Sequence, residues 1–221
     1  MRHWYAASWI KSDAVRVGAY PAGTAEHRSS GVHPHTTPNE PSNLFRRLFG
    51  GSPDPAQAHT DSSSGEAYSA LRHQALSIQR MEVGIAAPPP EAPVWGILME
   101  TGYPGATATL FALNDGTTSL YLSSGGGVIG GHAHQDVRQA NAEFVETANH
   151  YYQDLDPTES FPVPEEGYTL FYLLTDSYVL TGAGHEEDLG LERHPLSSLF
   201  HAGHRVITQL RLISESADRD V

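Results

Sequence analysis

Hydrophobic and polar positions change their spacing along the chain, and each change marks an element. Residues 21–42 show no apolar period, and His, Pro, Gly, Ser and Thr dominate them. A stretch so poor in apolar residues cannot offset its ordering entropy. Residues 1–60 are therefore expected to be disordered, with Trp4, Tyr5, Trp9 and Ile10 as an apolar island. Order begins at residue 61. Ser63-Ser64-Gly65-Glu66 fits a capping box, and Tyr68, Leu71, Ala75 and Ile78 recur with helical spacing, which predicts a helix within residues 61–85. Residues 86–93 hold Pro88, Pro89, Pro90 and Pro93, a stiff connector in which no helix continues.

Residues 94–213 form the expected main domain. VWGILME (94–100) is an almost continuous apolar run, as in a strand covered on both faces. Tyr103-Pro104-Gly105 turns the chain into a strand over 106–113. Asp115-Gly116 then leads into 117–123, where Leu120 and Leu122 alternate with Ser119, Tyr121 and Ser123. Asp-Gly between two strand-forming runs predicts a two-residue type I′ turn. A second helix is predicted from about His134 to Gln153 on the stripe Val137, Ala140, Phe144, Ala148 and Tyr151. An acidic loop (154–164), a strand (168–175), a turn at Asp176-Ser177, a short strand (178–181) and another acidic loop (182–192) follow. Pro195 opens a last helix with a wide apolar face at Leu196, Leu199, Phe200, Val206, Ile207 and Leu210. Residues 214–221 read as a polar tail. The expected fold is an α+β domain, an antiparallel five-stranded sheet in the order α-β-β-β-α-β-β-α.

Charge narrows the partners. Residues 1–93 hold eight Lys/Arg and eight Asp/Glu, whereas residues 94–221 hold five and eighteen, so the whole formal charge of −13 lies in the second part. That field repels a phosphate backbone and argues against nucleic acid as a partner. There is no cysteine, which excludes disulfides and thiolate metal sites and suits a cytoplasmic location. No apolar run approaches the ~18 residues of a membrane span, so no membrane partner is expected. The pair Arg46-Arg47 lacks the apolar stretch that a twin-arginine signal needs, and the basic, apolar residues 44–49 are too few for stable membrane binding. Composition changes abruptly at Asn43, which suggests that the first ~42 residues are an extension from an upstream start.

The densest feature is the glycine loop. Gly125, Gly126, Gly127, Gly130 and Gly131 fall within seven residues, followed by His132. Glycine backbone is open enough to wrap an anion, so this loop with His132 is the candidate ligand-binding site. The letters of G-x-G-x-x-G are present, but the preceding strand belongs to an antiparallel hairpin and no acidic residue ends a second parallel strand. A turn or bulge at the sheet edge is the competing reading. His132, His134, His201 and His204 have spacings that bring pairs to one side of a strand or helix and are the metal candidates, yet no complete ligand motif accompanies them. Ser123 or Ser124 with His132 and Asp136 supplies the residue types of a triad without the G-x-S-x-G elbow. Glu186/Glu187 and Asp154/Asp156 fall in loops. No catalytic set and no cofactor is expected.

Residues 115–131 match the pattern DGTxSLYxSxGGGxIGG, and residues 94–213 resemble bacterial proteins that carry this segment. The order of elements is similar to that of type III secretion chaperones and YbjN-like proteins, and less closely to profilin-like roadblock domains. That resemblance implies a small acidic α+β domain that binds another polypeptide or itself. The leading expectation is accordingly a non-enzymatic protein-binding or self-associating domain using exposed strand edges. The alternative is a small-ligand or phosphate-binding domain using residues 125–131.

Overall fold

The computed structural model describes residues 61–217. The stretch 1–60, with its tryptophans, lies outside the described residues, as do the last four positions. Helix α1 (Asp61–Ser77) and a 3-10 turn (Arg80–Val83) precede β1 (Gly96–Tyr103), β2 (Ala106–Leu113), β3 (Thr118–Leu122) and β4 (Gly127–Ile129). A 3-10 turn (Gly131–Ala133) leads into α2 (Gln135–Asn149). Then come β5 (Asp156–Thr158), β6 (Tyr168–Leu174), β7 (Val179–His185), the short α3 (Glu186–Gly190) and α4 (Ser197–Ala217). The strands form one sheet in the order β4-β3-β2-β1-β6-β7-β5, and every strand pair is antiparallel.

The α+β class and the antiparallel sheet agree with the expectation, but the sheet has seven strands where five were expected. Both additions are three-residue edge strands, too short for an alternating pattern to register. β4 arises because the glycine loop folds straight back, pairing Gly127 with Tyr121 and Ile129 with Ser119. β5 lies in the expected loop 154–164 and pairs with β7. β7 also runs on to His185, through residues expected to be loop. Leu155 and Leu196 side chains fill the space a Cβ would take at Gly182, and Leu189 does so at Gly184. Close packing of the neighbouring chain explains glycine inside that strand. The acidic residues Glu186, Glu187 and Asp188 open α3, where they complement the helix N-terminus. At the other end, α4 continues past Ser214 to Ala217.

The β2–β3 turn also departs from expectation. The loop is Asn114-Asp115-Gly116, closed by Gly116 N–H to Leu113 O (3.0 Å) and Leu113 N–H to Thr117 O (2.9 Å). Only Gly116 has positive φ (91°) there. This is a type I turn followed by a left-handed glycine, the three-residue alternative to type I′.

β1 is the central strand and is buried on both faces, as its sequence implies. On one face Ile97 and Met99 join Leu110, Leu120, Phe171 and Leu173 beneath α2 and α4, which contribute Val137, Phe144, Leu199, Phe200, Val206 and Leu210. On the other, Trp95, Leu98, Phe111, Tyr121 and Tyr172 pack beneath Tyr68, Ala75 and Leu76 of α1. The result is three layers, with one helix, the sheet and two helices. Burying each such large side chain contributes roughly 1.5–3 kcal/mol. Asn149 ties the layers together at the connector. Its Oδ1 accepts from Val94 N–H at 2.8 Å, and its Nδ2 donates to Val94 O at 3.3 Å.

Candidate functional site

Three places hold polar chemistry. The first is the glycine corner. Gly125 and Gly126 form the β3–β4 turn, in which Gly125 N–H donates to Leu122 O (3.0 Å) and Gly126 O accepts from Leu122 N–H (3.1 Å). Gly127 opens β4, Gly130 precedes the 3-10 turn, and Gly131 and His132 lie within it. Two of these glycines are pressed against protein. A Cβ at Gly127 would lie 2.3 Å from Leu120 O, and one at Gly131 would lie 2.6 Å from a Leu210 methyl. Ser123 Oγ accepts the Thr107 N–H at 2.8 Å, so this hydroxyl fastens the corner. Asp136 lies on the first turn of α2, and His134 is that helix's N-cap residue.

The second place was not singled out in the sequence. Glu100 on β1 is fully buried, and Arg72 of α1 covers its carboxylate with Nε at 2.8 Å from Oε1 and Nη2 at 2.7 Å from Oε2. Thr109 Oγ1 donates to Oε1 at 2.9 Å, and the Tyr68 hydroxyl is 3.0 Å from Thr109 Oγ1. Arg72 also donates to Phe161 O (2.9 Å) and Pro162 O (2.8 Å). The guanidinium is thereby spent on protein acceptors, so the cluster clasps α1 and the 161–162 loop to the sheet. Its signal was a carboxylate on Leu98's side of an otherwise apolar strand, facing an arginine on a helix.

The third place is an open groove of about 920 Å³ between α2 and α4, the larger of two described cavities. Asp136, Glu143, Glu192, Arg205, His201 and His204 are among its lining residues. Arg205 Nε lies 3.6 Å from Glu143 Oε2. The lining thus holds three carboxylates and one guanidinium, of which Glu143 and Arg205 are paired. Glu192 has a further peculiarity, a left-handed φ of 59°, the only positive φ among described non-glycine residues. It follows α3, whose last turn is closed by Leu191 N–H to Glu187 O (3.0 Å) and Arg193 N–H to Asp188 O (2.9 Å). Helix ends of this kind favour glycine, because a side chain in that conformation costs roughly 1–2 kcal/mol. A carboxylate is kept there nonetheless, at the wall of the groove. The smaller cavity, about 410 Å³, separates the proline connector from α2.

The metal candidates divide. His201 and His204 come together on the groove side of α4, whereas His132 and His134 belong to the glycine corner. Among the described residues no three His, Asp or Glu side chains group to hold a metal ion. His204 lies 4.2 Å from the Phe200 ring, centroid to centroid, and burial pushes its pKa down from 6.5 to about 4, with His201 adding repulsion. A histidine whose folded pKa is depressed contributes stability that is complete above its unfolded value and lost as pH falls toward the folded one. Urea midpoints should therefore drop between pH 7 and pH 4.5, and His204→Phe should flatten that slope. An unchanged slope in the variant would remove His204 as its source.

Of the carboxylate pairs, Glu186 is partly buried against Tyr103, whose hydroxyl donates to it at 3.3 Å, and burial raises the pKa of both. Strand-edge docking meets an obstacle, since both edge strands have three residues and β5 carries Asp156 and Pro157. Short, charged, proline-bearing edges resist pairing with another chain. No family model, curated protein or solved structure matches this chain.

Proposed function

We propose that this chain is a non-enzymatic, polypeptide-binding α+β domain that holds a basic segment of a partner protein in the groove between α2 and α4. The observation that carries the reading is Glu192. Its carboxylate joins Asp136 and Glu143 along one groove from a backbone conformation that glycine would occupy at lower free energy. Strained side-chain positions that persist at a concave surface point to use of that surface. A polar, open groove suits a polypeptide segment better than a small molecule, which favours enclosed and largely apolar sites. Opposite charge would steer a basic partner toward it. The resemblance to polypeptide-binding secretion chaperones points the same way, as a fold-level analogy.

Glu192→Gly separates stability from binding. It should raise unfolding free energy by about 1 kcal/mol through relief of the left-handed residue. The same variant should weaken binding of a fluorescent Arg/Leu/Phe peptide, read by anisotropy at low salt, by about fivefold or more if one facing charge is lost. Glu143→Lys should weaken it further, and added salt should weaken binding to the parent chain. Equal affinity for an acidic control peptide would overturn the reading. Thermal stabilisation by phosphate or nucleotide, with no peptide binding, would transfer the function to residues 125–131.

A further inference from the structure

We propose that Tyr152 and Tyr178 are an oxidative cross-linking site, where a peroxide-fed one-electron oxidant joins the two rings into an intramolecular dityrosine that braces the fold. Neither residue lines the α2–α4 groove, so the site stands whatever binds there. The two hydroxyl oxygens lie 2.7 Å apart, and the rings run nearly parallel, at 10° with centroids 6.3 Å apart. Tyr152 is half-buried and Tyr178 is exposed, so an oxidant in solution reaches the pair. Both backbones are tied down. Tyr152 N–H donates to Asn149 O at 3.3 Å, at the end of α2. In the β6–β7 turn, Thr175 Oγ1 donates to Tyr178 O at 2.6 Å, and Asp176 Oδ1 accepts from Arg80 Nε at 2.8 Å. Reacting groups held in contact behave as if at very high concentration.

The hydroxyl contact matters because of where the new bond forms. Phenoxyl radicals couple through the carbons ortho to oxygen, and in the product the two hydroxyls sit side by side across the new carbon–carbon bond. Tyr152 and Tyr178 already bring their hydroxyls together in this way. Each phenol gives up one electron and its hydroxyl proton, and one of the two protons has the partner oxygen as a ready acceptor. The radicals then form the bond, and the ortho hydrogens pass to the oxygens as both rings regain aromaticity. Hydrogen peroxide takes up the two electrons and two protons and leaves as two waters, with a haem peroxidase passing the electrons singly. The chain has no cysteine, so no thiol of its own intercepts the oxidant. The bond ties positions 26 apart in sequence, the end of α2 and the β6–β7 turn, as a disulfide would. The pair Tyr68 and Tyr121 is differently disposed. Those rings meet edge to face at 63°, both are buried, and the Tyr68 hydroxyl is engaged with Thr109. Tyr168 is exposed but packs on His185.

The test treats the dilute full-length chain with a haem peroxidase and an equimolar amount of hydrogen peroxide. Dityrosine fluorescence should appear while the chain keeps its single-chain mobility on a denaturing gel. Digestion at glutamates, which cuts between the two tyrosines at Glu159 and Glu166, should release a linked pair of peptides that holds Tyr152 and Tyr178 and lacks two hydrogens. Mapping the link by peptide keeps it distinct from oxygen gained at the exposed Met81. Tyr152→Phe and Tyr178→Phe keep the rings and remove the hydroxyls, and each should lower the yield about tenfold or more. Tyr168→Phe should leave it unchanged. The linked chain should also unfold at a higher urea concentration than Tyr178→Phe taken through the same oxidation. Unchanged yield in Tyr178→Phe, linked peptides dominated by other tyrosines, or links only between chains would overturn the site. Equal urea midpoints would overturn its role as a brace.

Discussion

Replacing Arg72 by methionine is expected to destabilise the fold by about 3–5 kcal/mol, because it leaves a carboxylate buried without its counter-charge. Glu100 is wholly inaccessible, and Arg72 supplies three of the four side-chain hydrogen bonds it receives. Only Thr109 would remain, and one neutral hydroxyl cannot replace a bidentate guanidinium. The same change releases the carbonyls of Phe161 and Pro162 and loosens the loop they belong to. Chemical denaturation of four chains tests the account, namely the parent, Arg72→Met, Glu100→Leu and the double variant. The double variant should recover part of what Arg72→Met loses, since an apolar pair carries no uncompensated charge. Tyr121→Phe is the internal control. Its hydroxyl is buried beside this network and has no hydrogen-bond partner among the described residues, so the variant should be neutral or more stable. If Arg72→Met fell within 1 kcal/mol of the parent, the clasp would be an ornament on a helix held by packing alone.

That clasp also shows where sequence reasoning stops. Long periodic segments were legible. The stripe Val137, Ala140, Phe144 and Ala148 announced α2, and the apolar run from Val94 announced a central strand. Residues that act through distant partners were not. Glu100 and Arg72 are 28 positions apart, and nothing local to either tells which inward-facing charge will meet another. β4 and β5 escaped because three residues cannot display a period, and the end of β7 because its glycines mimic a loop. The groove was illegible for a related reason. Asp136 and Glu143 lie on α2, Glu192 just beyond α3 and Arg205 on α4, and only the packing of these elements brings them together. The i, i+3 spacing of His201 and His204 is visible in the sequence, and the structure supplies their setting, a helix face beside Phe200.

Gly127→Ala should be the most damaging single methyl in the glycine corner, at about 3 kcal/mol or more, and it separates packing from ligand binding. Two effects add there. The φ of 156° is one that L residues rarely adopt, and the new Cβ would lie 2.3 Å from Leu120 O and 2.8 Å from Tyr121 Cα. Both obstacles are backbone of the neighbouring strand, so no side-chain rotation can relieve them, and β4 must separate from β3. Gly105→Ala gives the baseline, with φ of 75° and nothing within 4 Å of the added carbon, so it bears the conformational penalty alone, about 1 kcal/mol. Urea unfolding of both variants measures the difference. A larger loss at Gly127 ties this glycine to strand packing, and loss of ligand binding on replacing it would then be uninterpretable without a stability control. Gly126, in the turn itself, is the position at which a phosphate-binding role can be tested more cleanly. Equal losses at Gly127 and Gly105 would mean that the corner yields easily, and the close approach of β4 to β3 would no longer account for the glycine.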